Sequence, residues 1–175
     1  GWGLGDWQLQ ASGKGIPLST LQAIDPSLEV IGGDLVVSGG VMGQLNDPSP
    51  DLTFDLRDAS FRYRPLGLLV RRASGLLHTR AEGPGRIRVE VESLEAQTRP
   101  LQASVEGLAA LGDSAVSVEG WVVLQDLAPA EADARVNLRS AWLSATAEQQ
   151  LRASGEVTAR GVWPDLRVRG GVQVD

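Results

Sequence analysis

The feature that most constrains this chain is a two-residue alternation of apolar and polar side chains that persists over most of its length. After Gly83-Pro84-Gly85, Ile87, Val89 and Val91 alternate with Arg86, Arg88, Glu90 and Glu92. Leu101, Ala103 and Val105 alternate with Gln102, Ser104 and Glu106, and Val116 and Val118 with Ser117 and Glu119. Ala134, Val136 and Leu138 alternate with Arg135, Asn137 and Arg139. Leu166, Val168, Val172 and Val174 alternate with Arg167, Arg169, Gln173 and Asp175. Earlier, Leu52, Phe54 and Leu56 fall on one side of a strand, with Thr53, Asp55 and Arg57 on the other. Successive strand side chains point to opposite faces, so this pattern predicts antiparallel strands with one dry and one wet face. Around Trp121 and Val123 both faces become apolar, which predicts a covered strand.

Glycine punctuates the strands. The chain holds 21 glycines in 175 residues, nearly twice the usual ~7%. A small tag recurs as Ala11-Ser12-Gly13, Val37-Ser38-Gly39, Ala73-Ser74-Gly75 and Ala153-Ser154-Gly155. Glycine inside a strand marks a bulge or bend, and repeated bends curve a sheet. The stretch Gly32–Phe61 is also echoed near the end. Ser38-Gly39-Gly40-Val41 is answered by Ser154-Gly155-Glu156-Val157, and Pro50-Asp51-Leu52 by Pro164-Asp165-Leu166. One short helix is predicted at residues 18–24, where Leu18, Leu21 and Ile24 recur at helical spacing before Asp25-Pro26 ends the run. Pro65–Val70 reads as strand or helical turn, closed by Arg71-Arg72.

No catalytic constellation is visible, and the chain is expected not to be an enzyme. There is no cysteine, and His78 is the one histidine, set on an alternating strand as a structural residue. Asp47, Asp51, Asp55 and Asp58 gather in a Pro-rich loop and the strand after it; their spacing fits turn capping better than a calcium loop. No metal and no cofactor is predicted. The glycine-rich runs at Gly1–Gly5 and Gly39–Gly43 do not sit between a strand and a helix, so neither is a phosphate cradle. A net charge of -6 argues against a nucleic-acid partner. Arginines crowd residues 57–88, with Asp58 and Glu82 as nearby acids; a solvated face is the first reading, contact with lipid headgroups or an acidic partner the second. No apolar run approaches the about 18 residues of a membrane helix. The start at Gly1 and the stop in mid-alternation suggest a single segment, 1–175, cut from a longer protein.

Four stretches carry a resemblance. Gly15–Leu21, Gly33–Gly39 and the Pro-Asp-Leu steps at Pro50 and Pro164 resemble the TamB family, the inner-membrane subunit of the translocation and assembly module, and its AsmA-like relatives. The arginine-rich middle departs from that pattern. The resemblance implies an all-β fold, a long curved antiparallel sheet folded into an open apolar trough, or β-taco. It implies a periplasmic location, anchoring in the inner membrane outside this chain, and an outer-membrane partner of the Omp85 barrel class. It implies work on phospholipid acyl chains or hydrophobic β-strand clients.

On that reading the lining is Leu52, Phe54, Leu56, Ile87, Val89, Val91, Val116, Val118, Val136, Leu138, Leu166, Val168, Val172 and Val174. The competing reading packs these side chains against a second sheet, giving a β-sandwich interaction module with a closed core and no ligand. A transmembrane barrel is disfavoured, since aromatic girdles need more than one tyrosine and two phenylalanines.

Overall fold

A computed structural model describes residues 7–19, 26–44, 47–101 and 114–174. The alternating segments form β1 (Trp7–Pro17), β2 (Leu28–Gln44), β3 (Asp47–Tyr63), β4 (Leu68–Gly83), β5 (Arg86–Pro100), β6 (Ala115–Gln125), β7 (Ala128–Ala145), β8 (Gln150–Val162) and β9 (Arg167–Val174). They pair in chain order into one nine-stranded sheet, antiparallel throughout, with β1 and β9 at its edges. The described residues contain no second sheet, so the closed sandwich is not the architecture.

Register places the apolar residues side by side. One row runs Val37, Phe54, Leu77, Val91, Gly120, Ala134, Ala159, Val168 across eight strands. The next runs Leu35, Leu56, Gly75, Leu94, Val118, Val136, Val157, Gly170. Directly opposed residues in an antiparallel pair share a face, so these rows form one continuous apolar surface. A one-residue slip anywhere would throw a strand's valines onto the charged face, which is why the register holds across the sheet.

The sheet curls toward its apolar side at one end. There β6 begins at Ala115 while β7 runs on to Ala145. Past the start of β6, the Trp142 backbone N–H donates to Thr98 Oγ1 of β5 at 2.8 Å. The Ser114 hydroxyl bridges both backbone groups of Thr98. A short 3-10 turn, Arg64–Leu66, ends at Gly67 with φ 64°, and the Gly67 Cα lies so close to Ala145 that an added Cβ would fall 2.3 Å from its carbonyl oxygen. Only glycine combines that left-handed φ with this approach. The residues buried at this end, Ala59, Leu68, Ala73, Ala141 and Ala153, belong to the apolar face. Leu18 completes a small core with Ala59 and Ala73, flanked by Val30, Leu35, Leu56, Phe61, Val70 and Ala96.

Two of the recurring tags act as a pair. Opposite Ser74, β3 bulges at Asp58 (φ 45°), and the Asp58 N–H donates to Ser74 Oγ at 3.0 Å. Opposite Ser154, β7 bulges at Ser140 (φ 47°), and the Ser140 N–H donates to Ser154 Oγ at 2.9 Å. The bulged sequences match as well, Leu56-Arg57-Asp58-Ala59 against Leu138-Arg139-Ser140-Ala141. In each, alanine meets alanine across the strands, Ala59 with Ala73 and Ala141 with Ala153. The bulge therefore lies in the strand beside the tag, and the serine satisfies the N–H that the bulge strips from the ladder. The structural repeat is β3–β4 with β7–β8. The echo expected between Pro50 and Pro164 does not hold in space: Pro50 lies inside β3, whereas Pro164 to Leu166 form the connection before β9.

Other expectations need adjustment. Leu18 and Ser19 take 3-10 geometry, and the rest of the helix expected at 18–24 lies outside the described residues; of the strand expected from Leu101 to Glu106, Leu101 lies in a turn and the rest lies outside the described residues. Arg71-Arg72 does not close a strand: β4 runs through it to Gly83, bulging at Arg72 (φ 51°).

Candidate functional site: the apolar face

Thirteen of the expected lining residues lie on the apolar face. Leu52 and Val89 share a row through Thr79, and Ile87 sits opposite Leu124. Phe54, Val91 and Val168 belong to the first long row, Leu56, Val118 and Val136 to the second. Val116, Leu138 and Val172 form a third through Gly155. Val174 meets Ala153. Leu166 is the exception: it precedes the first paired residue of β9 and stands half-buried beside Gly161. The Pro-Asp-Leu step that suggested a strand there forms a turn instead.

None of these side chains is buried. Val168, Val172 and Val174 are exposed at 66%, 43% and 60%, and the others are half-buried by their neighbours in the sheet. Sequence reasoning missed Leu35, Val37, Leu77, Leu94, Val122 and Val157, which continue the same rows. Leu76-Leu77 hid one of them, because two adjacent leucines give no alternation; pairing with Phe54 and Val91 places Leu77 on the apolar face.

The opposite face carries the charges, arranged as ion pairs that mostly link strands, with Arg57 and Asp55 paired within β3. Arg57 holds Asp55 at 2.5 Å, Arg62 and Arg64 both hold Glu29, Arg86 holds Glu131 at 2.8 Å, and Arg88 holds Glu82. Arg135 lies between Glu119 at 3.1 Å and Glu156 at 3.6 Å. Arg160 Nε donates to Asp133 at 2.7 Å. Arg62, Arg64 and Arg86 thus find acids on β2 and β7, too far along the chain for a local reading to see, whereas Arg57 and Arg88 pair with Asp55 and Glu82 close by. Arg88 also stacks over Trp121, 4.0 Å from the ring centroid, and Val123 beneath this layer is fully buried. That is the cover the sequence called for at 121–123, supplied by side chains and not by another element. His78 lies on the same face between Thr53 Oγ1, 3.0 Å from Nδ1, and Glu92, 3.3 Å from Nε2. Among the described residues no group of three or more histidines and carboxylates is placed to hold a metal ion.

Two hollows, of about 690 and 480 Å³, lie among these charged rows, around Trp121 and around Asn137. Both are lined mostly by residues of the charged face, and the apolar surface lies under no second sheet among the described residues. For hydrocarbon the apolar face is the relevant site, because its exposed surface is what water penalises.

The arginines hold two carboxyls below the ordinary carboxylate range: Glu82 through its hydrogen bond from Arg88, and Glu29 through those from Arg64 and Arg62. A depressed folded pKa adds stability that is present above the unfolded value, about 4.3 for glutamate, and is lost as pH falls through the folded one. A Glu29→Gln/Glu82→Gln double variant is therefore expected to melt below the parent at neutral pH, and the gap to close as pH falls through the lowered folded pKa values and both parent carboxyls are protonated. Thermal melts across that range test this; a gap that survives acid would mean the two glutamates act by packing.

Fold and site together define a class: a single-layer open antiparallel sheet with one continuous apolar face. Comparison with known protein families, curated proteins and solved structures finds no match.

Proposed function

We propose that this chain is a non-catalytic segment whose apolar face shields phospholipid acyl chains from water as they pass between two membranes. The observation that carries the reading is the half-exposed apolar row spanning eight strands with no second sheet against it among the described residues. Each CH₂ placed in water costs about 0.8 kcal/mol, so a 16-carbon chain costs roughly 13 kcal/mol. Crossing an aqueous gap at a useful rate requires that cost to be removed along the whole route. A surface of valine, leucine and alanine does this without oriented polar groups, so occupancy stays near neutral relative to a bilayer and favours sliding over capture. The TamB resemblance supports the same reading. With it come the proposed setting, the periplasm with an inner-membrane anchor outside this chain, and an Omp85-class barrel as partner. Hydrophobic β-strand clients are the competing occupant of the same face.

The test is a photoreactive side chain at Val89 or at its neighbour Glu90, in protein mixed with phospholipid vesicles. These adjacent residues point to opposite faces of β5. Lipid adducts are expected from Val89 and not from Glu90. Adducts from both or from neither would overturn the proposal, and adducts to unfolded outer-membrane protein alone would reassign the face to clients.

A further inference from the structure

The two copies of the bulged repeat employ their arginines differently. Aligned on the bulges, Asp55 and Arg57 of β3 correspond to Asn137 and Arg139 of β7. Arg72-Ala73-Ser74-Gly75 of β4 corresponds to Arg152-Ala153-Ser154-Gly155 of β8. In the first copy Arg57 is held by Asp55. In the second, asparagine stands in place of that acid, and Arg139 forms no ion pair among the described residues. The other arginine reverses the pattern. Arg152 Nε donates to the Ser140 carbonyl oxygen at 3.1 Å, whereas Arg72 has no hydrogen-bond or ion-pair partner among the described residues. Each copy thus leaves one guanidinium unused, and not the same one. Both border the same hollow, of about 480 Å³, which lies between the copies over β5 and β6. Arg72 reaches it from β4, at a bulge with φ 51°, and Arg139 from β7. A bulge re-aims its side chain. Gln97, Ser117 and Asn137, all half-buried, add neutral hydrogen-bonding groups, and Glu95 is the one carboxylate among the lining residues.

We propose that this hollow binds a phosphorylated sugar. Two arginines against one acid make it locally positive on a chain of net charge -6. The phosphate would lie between Arg72 and Arg139 and accept charge-assisted hydrogen bonds from both sides. β4 and β7 are three strand spacings apart in the sheet, or about 14 Å, a gap that two extended arginine side chains with a phosphate between them can span. The sugar hydroxyls would donate to Glu95 and exchange hydrogen bonds with Gln97, Ser117 and Asn137. The acid that would repel a bare anion thus becomes an acceptor for the rest of the ligand. Size points the same way: the hollow is far larger than a bare phosphate ion and falls within the range of about 300–1,000 Å³ usual for small-molecule sites. It opens on the charged face, so the inference is independent of what occupies the apolar one.

The test is isothermal titration calorimetry of the chain with glucose 6-phosphate, glucose and inorganic phosphate. Glucose 6-phosphate is expected to bind at least about tenfold tighter than either of the others. Asn137→Asp gives the second copy the acid that holds Arg57 in the first, so it should capture Arg139 and weaken binding at least about tenfold. Arg72→Gln should do the same, with thermal melts confirming that both variants fold. Arg80→Gln removes the same charge from an exposed position on β4 outside the hollow and should leave binding unchanged. Glucose 6-phosphate binding no tighter than inorganic phosphate, binding intact in Asn137→Asp and Arg72→Gln, or an equal loss in Arg80→Gln would each overturn the proposal. Vesicles containing phosphatidylinositol 4-phosphate present the same chemistry on a lipid. Binding to them in place of the free sugar phosphate, lost in the same two variants, would uphold the site and assign its ligand to a headgroup.

Discussion

Gly120→Ala is expected to destabilise the protein by about 3 kcal/mol, seen as a lower urea midpoint at unchanged slope. Gly120 lies in the middle of β6 with φ 130°, a conformation that L side chains rarely adopt. Its added Cβ would fall 2.2 Å from the Asp133 carbonyl oxygen and 2.6 Å from the Ala134 Cα. Those atoms belong to the paired backbone of β7, so relief requires moving a strand, not a side chain. Gly32 is the control: an added Cβ there meets nothing within 4 Å, and Gly32→Ala should change stability by less than about 1 kcal/mol. If the two substitutions cost the same, the close approach of β6 and β7 at Gly120 is not what holds this part of the sheet.

The largest functional effect is expected from Val118→Asp. Val118 sits mid-sheet between Leu94 and Val136 in the second apolar row. Its half-exposed position leaves the new carboxylate in contact with water, so the fold should survive. An acyl chain lying across the row would instead strip that water, at a cost of several kcal/mol for an ionised group. A route along a continuous surface is only as good as its worst point. Lipid adducts from the photoreactive group at Val89 should therefore drop at least about tenfold, the equivalent of 1.4 kcal/mol. Thr158→Asp, on the charged face opposite Arg169 and Arg135, should leave them unchanged. Equal losses from both substitutions would point to general damage and remove the support for a lipid path.

The alternation of Ile87, Val89 and Val91, and of Val116 and Val118, was legible because an unbroken period of two has one structural meaning. Leu77 was not, because Leu76 beside it is equally apolar, and Leu94 was not, because an extra residue in β5 between Val91 and Leu94 breaks the period while keeping Leu94 on the apolar face. The Ala-Ser-Gly tags announced bends correctly in kind. The bulges that Ser74 and Ser154 satisfy are in the neighbouring strands, and a linear reading does not identify which strand will be a neighbour. The same limit hid the acids that serve the arginine-rich stretch: Glu29 and Glu131 reach Arg62 and Arg86 only through pairing. Leu166 misled because its apolar character fits an alternation that begins only one residue later.

From its order of residues alone, this protein is committed to antiparallel strands with one apolar side, since side-chain direction in a strand follows backbone geometry and needs no knowledge of partners. Only the tertiary structure decided that the strands pair in sequence into one sheet, that no second sheet covers the apolar side among the described residues, and that the curl comes where β7 outruns β6 to reach Thr98 and Gly67. Alternation is a local property of successive residues, whereas whether a face is covered depends on contacts between residues far apart in the chain.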